Sequence, residues 1–445
     1  MLTREQTQKL AQKVLSYSTF AECTVAINSS EQAFTRFANN GVTTAAQVNR
    51  HSVSIASTRD GRTGNTVVND LDESALKKAM KRSEELAAIA PVNPEHTGPV
   101  AAVKFPEIGC DEATARAGAL EMLPQIRAVI ETSQKRKMIG AGLFERITTN
   151  AAVANKAGLF GFHRSADAKL TTTIRAIDGS SSGWAGVPAT HYLEIDGAAL
   201  AMAAADKCEK WKNPRRLEPG RYTVVLEPTA TGDIISLMVG GFRGEGFGAR
   251  SAEEGRSFLS KRGGGSRLGD KMFPEFVTLR SDPFDPRMAG SPWSNELLPA
   301  EKINWIENGV IKNLAVDRYW AGKTNRKPSP SPSSMVLEGG EASVADLIKT
   351  VERGLLVTHF WYIRFVNTQT QQYTGLTRDG LFLIENGKVT EPVMNFRFND
   401  GPVHLLENTV KMGKAVRMRG LEGASMVAPA LVAKDFNFTS ISDAV

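Results

Sequence analysis

Residues 217–246 read LEPGRYTVVLEPTATGDIISLMVGGFRGEG, and this stretch decides how the chain is organised. It leaves a Pro-Gly turn, runs through the strand-like RYTVVLEP, and becomes an apolar helical turn that ends in a glycine-rich bend. Several peptidases carry metal ligands on a helix in this setting. Here the side chains on offer are Ser236, Leu237, Met238, Val239 and Gly241, none of which suits a metal. Just upstream, KNPRRLEPG (212–220) holds two prolines and a glycine, which marks a boundary. We therefore expect two domains, 1–212 and 213–445, since 445 residues exceed what one core usually supports.

Upstream of the boundary, helix and strand signals mix. Thr3 and Gln6 fit a capping box, followed by Leu10, Ala11 and Val14 at helical spacing. CTVAINSS, AFTRFANN, TTAAQVNR and SVSIAST then alternate as four short strands, punctuated by Asn40-Gly41 and Asp60-Gly61 turns. A helix returns over 72–90, with Leu76, Ala79, Met80, Ser83 and Ala87 on one stripe, and another over 111–133, which Pro124 must kink or split. Strands follow from about Gly140 to Ala185, turning at NKAGL, before an alanine-rich helix over 196–211. Downstream, β patterning dominates. Two copies of IENG, Ile306–Gly309 and Ile384–Gly387, predict type I′ hairpins, and KPSPSPSS (327–334) predicts an exposed extended loop.

Composition excludes several classes. No apolar run approaches the roughly 18 residues that cross a bilayer, and MLTREQTQKLAQKVLS lacks a signal-peptide pattern. Together these make a cytoplasmic location the expectation. Cys23, Cys110 and Cys208 are too sparse for a disulfide framework and read as buried, reduced thiols. The net charge of +6 is scattered along the chain, which argues against nucleic acid as a partner.

The motifs of chemistry are missing. His51, His96, His163, His191, His359 and His404 never fall within a helical turn of one another, and H-E-x-x-H is absent. No G-x-S-x-G elbow appears. In GGGSRLGDK (263–271), Asp270 stands where a phosphate loop needs lysine, and GEGFG (244–248) is too short for a dinucleotide fingerprint. Glu253-Glu254, or Asp379 with Glu385, could serve as acid and base, yet solvated surface explains them equally well.

Ordered motifs nevertheless give a resemblance. NKAGL, SSSGWAG (180–186), LEPGRYTVVLEP, RSFLSKR, VTLRSDPFDP, INWIENGVIKNLAVDRYWA, GLFLIENGKVTEPV and RMRGLEGASM follow the order of the TldD/PmbA family, and the chain resembles it over most of its length. The resemblance implies an α+β fold, with strands flanked by helices in the N-terminal domain and a larger, mostly β C-terminal domain. In the family's catalytic branch, H-E-x-x-x-H and a distant cysteine hold zinc, and the glutamate is the general base. By that match the first histidine falls on Ser236, the glutamate on Leu237, the second histidine on Gly241 and the cysteine on Arg419. A stretch that family members often carry is altered too. WSNELLP (293–299) keeps Glu296 and Pro299 but has Ser294 and Leu297 in place of Asp and Gly, as in a divergent subgroup.

The resemblance therefore implies a non-catalytic, TldE/PmbA-type subunit with no metal and no catalytic residue of its own. Zinc would reside in a TldD-type partner, the substrates would be unfolded or short peptides, and a homodimer could form when the chain is alone. Two alternatives stand beside it. One is an active metallopeptidase using other ligands, such as Glu245 with His359 or His404. The other is a stand-alone peptide- or protein-binding regulator, in line with the family's association with DNA gyrase modulation.

Overall fold

The computed structural model describes residues 1–240, 246–420 and 425–442, with Gly240 and Arg419 as backbone only. Its fold is α+β, built on two separate sheets. The first has the order β3-β2-β1-β4-β5-β6 with every neighbour antiparallel. Its strands are β1 (Glu22–Ala38), β2 (Gly41–Arg59), β3 (Arg62–Val68), β4 (Met138–Asn155), β5 (Phe160–Ala176) and β6 (Ser182–Ala189). Odd-numbered residues of β1, from Cys23 to Phe37, turn one face inward, as a period of two requires. Helices α1 (Arg4–Ser16) and α2 (Glu73–Ile89) cover the end of that face holding Val25, Ile27, Val53 and Ile55. The far end, around Phe37, Phe144, Leu170 and Ile174, is covered by α4 (Ala119–Lys135) and α5 (Gly197–Lys210), with the short α3 (Glu112–Arg116) between the pairs in sequence.

Three expectations are corrected here. The four short strands are two long ones of 17 and 19 residues: in β1 the buried alternation continues past its polar middle, and the exposed first half of β2 stays paired along β1. The turn between them is Asn39-Asn40, both at positive φ (51° and 58°), one residue earlier than Asn40-Gly41. The helix over 111–133 does break, but at Ala117-Gly118; Pro124 sits inside α4, where it removes one backbone hydrogen bond. The capping box of Thr3 and Gln6 is present, and NKAGL turns β4 into β5.

The second sheet has 13 strands among the described residues. Its first is β7 (Gly220–Leu226), which leads into α6 (Pro228–Gly240) and α7 (Ala249–Glu253). Next come β8 (Leu279–Ser281), β9 (Ile303–Glu307), β10 (Val310–Ile311), α8 (Arg318–Thr324), β11 (Met335–Leu337) and α9 (Val344–Ile348). The chain continues through β12 (Arg353–Val357), β13 (Phe360–Asn367), β14 (Gln372–Thr377), β15 (Leu381–Glu385), β16 (Lys388–Pro392) and β17 (Phe396–Asp400). It finishes with α10 (Pro402–Glu407), β18 (Thr409–Arg419) and β19 (Ser425–Ile441). β19 is the hub, pairing with β7, β11, β17 and β18. Both IENG turns form hairpins, with Asn308 and Gly309 at φ 51° and 78° and Asn386 and Gly387 at 50° and 73°. Type I′ geometry requires positive φ at both positions, which Asn tolerates and Gly adopts freely. The proline-serine loop is less free than its composition suggests. Ser329 exchanges hydrogen bonds with Val316, and Ser333 N–H donates to Ser281 Oγ.

Polar and aromatic contacts tie the two sheets together. Arg417 pairs with Asp167 at 2.7 Å, Arg250 grips Glu95 with two bonds of 2.8 Å, and Phe105 packs on Trp293. Among the described residues no helix is long and apolar enough to cross a membrane.

Candidate functional site

β7 feeds directly into α6, whose first residue is Pro228, a position where proline's missing N–H costs nothing. Ala230, Thr231, Asp233, Ile234, Ile235 and Met238 are all 0% exposed, so the helix is enclosed on nearly every side. Its second turn touches the end of β18. A Cβ built on Gly232 would lie 2.1 Å from Met418 Sδ, and one on Gly420 would lie 1.5 Å from Asp233 Oδ1. Helix and strand end, far apart in sequence, thus meet where the resemblance puts the two halves of a metal site.

The described side chains at that meeting point are poor donors for a cation. Ser236 is buried and its hydroxyl donates to the Asp233 carbonyl at 3.5 Å. Leu237 packs on the main core, and its carbonyl accepts from Tyr373 Oη at 3.2 Å. Burial pushes the Tyr373 phenol up to about 12, which keeps it a donor. Arg419, in β18, is paired opposite Ser425; its side chain, Gly241, Gly244, Glu245 and residues 421–423 of RGLEG lie outside the described residues. Zinc takes imidazole, thiolate or carboxylate in tetrahedral array. One neutral hydroxyl already spent on the backbone and one aliphatic side chain do not fit it.

The helix also buries a carboxylate, Asp233, whose Oδ2 accepts from Phe360 N–H at 3.4 Å. Next to Phe360, the wholly buried His359 lies 3.4 Å from Asp379, which in turn accepts from Ser182 Oγ across the two sheets. His359 also packs on Trp184, and burial pulls its imidazole down to about 4, so it is neutral at neutral pH. His404 sits elsewhere. Its Nδ1 is 3.0 Å from Asp400, whose carboxylate holds the imidazole above its ordinary value. His359 and His404 share no partner, and no group of three His, Cys, Asp or Glu side chains among the described residues could hold a metal. The alternative ligand set, Glu245 with His359 or His404, includes Glu245, which lies outside the described residues.

The other acid–base candidates resolve into structural pairs. Glu253 accepts from Trp320 Nε1 and from Arg326 at 2.7 Å each, and Glu254 pairs with Arg250 and Arg256. Asp379 precedes β15 and Glu385 ends it, so the two lie at opposite ends of one strand. Asp270 pairs with Lys261 at 2.9 Å, inside a loop whose four glycines all have positive φ. In the altered WSNELLP stretch, Glu296 accepts from Arg318 N–H, and burial raises its carboxyl. Of the cysteines, Cys23 and Cys208 are buried as expected but Cys110 is only half-buried; all three are free. Sequence reasoning passed over Asp233 and the Ser182–Asp379–His359 chain. A lone carboxylate in an otherwise apolar helix was the available signal for the first; the second is assembled from three distant segments and left none.

Comparison with known proteins now defines the class. A family model described as the PmbA/TldA metallopeptidase C-terminal domain matches residues 219–440. A metalloprotease of Methanothermobacter thermautotrophicus is 25% identical over 215 residues, covering 45% of this chain and 44% of that protein. A metalloprotease TldD homolog of Buchnera aphidicola is 22% identical over 213 residues, covering 45% and 42%. The matched stretch is thus less than half the length of either curated relative. In fold, the chain is similar to TldE from Thermococcus kodakarensis, with a TM-score of 0.84 at 18% identity over 97% of this chain and 99% of that one. It is also similar to a proposed DNA gyrase modulator from Thermotoga maritima MSB8, at 0.83 and 16%, over 97% and 100%. The chain belongs to the TldD/PmbA family of metallopeptidases.

Proposed function

We propose that this chain is a non-catalytic, TldE/PmbA-type subunit of a heteromeric zinc metallopeptidase. It works in the cytoplasm beside a TldD-type partner that carries H-E-x-x-x-H, and helps to enclose and guide unfolded or short peptides. Its two domains divide at 212/213. The observation that supports this is the meeting of α6 and β18 at Gly232 and Met418; by the family match, Ser236 and Leu237 on that helix fall at the positions of a zinc ligand and the base. Without a metal there is no activated water and no Lewis acid for the peptide carbonyl.

The test is to purify the chain alone and with a TldD-type partner, then measure zinc content and cleavage of an unfolded protein. The expected outcome is no stoichiometric zinc and no cleavage alone, with chelator-sensitive cleavage by the pair. Chelator-sensitive cleavage by the chain alone would overturn the proposal in favour of an active enzyme. Failure to associate with any TldD-type subunit would favour a stand-alone regulator.

A further inference from the structure

β4 pairs with β5 along almost its whole length, but on the other edge β6 pairs only with Ala168–Arg175. Between Phe160 and Asp167 that outer edge has no strand neighbour among the described residues. An open edge presents a row of main-chain donors and acceptors to any extended chain alongside it. No backbone–backbone hydrogen bond from residues 104–111, which face the edge, fills it.

Two cavities follow this edge. One of ≈ 350 Å³ is lined by Phe160 to Arg164, and one of ≈ 370 Å³ by Ser165 and Ala166. Both are also lined by Ile108 and Cys110, so together they form one groove between β5 and the irregular segment 104–111. Its first half is aromatic and cationic. Phe105, Phe160 and Phe162 wall it, and the Arg4 guanidinium stands 5.9 Å from the centres of both the Phe160 and Phe162 rings. Arg164 is spent on Glu112 at 2.6 Å. Arg4 and Lys104 make no ion pair among the described residues and face one remaining carboxylate, Glu107. The surplus is one positive charge beside an apolar pocket. That is too little for a phosphate backbone, which needs a long cationic track, and it suits one carboxylate joined to one apolar side chain.

We propose that this groove binds the C-terminal end of an extended peptide. The peptide adds a strand to the free edge of β5, its terminal carboxylate meets Arg4 and Lys104, and an aromatic or apolar last residue sits against Phe160 and Phe162 under Arg4. The occupant's being a peptide rests on the reading of the chain as a peptide-handling subunit; the carboxylate and the apolar residue come from the groove itself.

The experiment uses the whole chain without a partner or zinc, so its failure is distinguishable from failure of the proposed subunit role. N-terminally fluorescein-labelled peptides of one sequence ending in Phe, with either a free carboxylate or a carboxamide, are titrated by fluorescence anisotropy. The free acid should bind about tenfold tighter than the amide, because a charge-assisted contact is lost with the carboxylate. Arg4→Glu and Lys104→Glu should each erase most of that difference, whereas Lys388→Glu on the distant β16 should preserve it. Arg4 and Lys104 are exposed, so both variants should fold, which circular dichroism checks. Equal affinity for acid and amide, no binding of either, or charge reversals without effect would overturn the proposal.

Discussion

The meeting of α6 and β18 can be tested by putting one methyl group at Gly232. In a helix interior, Gly→Ala alone stabilises by about 1 kcal/mol. At this position the new carbon would lie 2.1 Å from Met418 Sδ and 2.5 Å from its Cε, well inside contact distance. Met418 is 2% exposed and has little room to retreat. Forcing extra volume into such packing costs about 1–3 kcal/mol, so Gly232→Ala should destabilise by up to about 2 kcal/mol after the helical gain is subtracted. Met418→Ala alone opens a hole at the same place and should cost about 2–5 kcal/mol. In the double variant the methyl group added on α6 enters space the methionine has left. The two changes should then be less damaging together than their sum by at least about 1 kcal/mol, as coupled neighbours are. Urea denaturation of the four proteins, followed by tryptophan fluorescence, measures the coupling. Additivity, or a Gly232→Ala protein more stable by the full helical gain, would show that strand end and helix do not touch as described.

Protonation of His359 supplies a second expectation. Its folded value of about 4 lies below its ordinary 6.5, so the folded state favours the neutral ring. That contribution is fully present above pH 6.5 and is lost as pH falls towards 4, by about 3 kcal/mol in all at 1.36 kcal/mol per unit. Asp379 opposes the loss, while Arg378 and Lys207 add to it. His359→Gln should flatten the stability–pH curve between 6.5 and 4, and an unchanged slope would rule out the histidine as its source. Thiol labelling gives a third. Cys110 should react with a disulfide reagent well before Cys23 and Cys208, which are buried, and Cys110→Ser should remove the fast phase. Burial raises each thiol, so even the Cys110 phase should be slower at neutral pH than that of a small free thiol.

What the sequence disclosed and what it withheld follow a physical division. Local codes were legible: the capping box at Thr3, the Asn-Gly turns at 308–309 and 386–387, and the apolar stripe of α2 depend on residues a few positions apart. Strand length was misjudged where the inward row of β1 passes through Ser29 and Glu31, polar residues that still point to the covered face. The break before α4 was misplaced because Pro124 signals a break by itself, while Gly118 starts a helix only when Glu121 caps it. At the candidate site, the donor chemistry of Ser236 and Leu237 could be read directly. The contact of Gly232 with Met418 could not, since pairing across such sequence distance is fixed by the whole sheet. Nor could the groove along β5, which exists only because β6 stops short.

The position of β19 carries a consequence for how the protein is made. It is the last strand in sequence to be described, yet it fills the slot between β7 and β11 and seats β17 and β18 as well. On the ribosome, β7 therefore emerges some two hundred residues before the second of its two neighbours exists, with the β19 edge of Val224, Val225 and Leu226 left unpaired even after β12 has formed. Chain closure over that separation is slow, and the waiting surface is open to aggregation. A nascent chain stalled before Ser425 should be held by chaperones, and release should coincide with the arrival of Leu431 and Val432 beside β7.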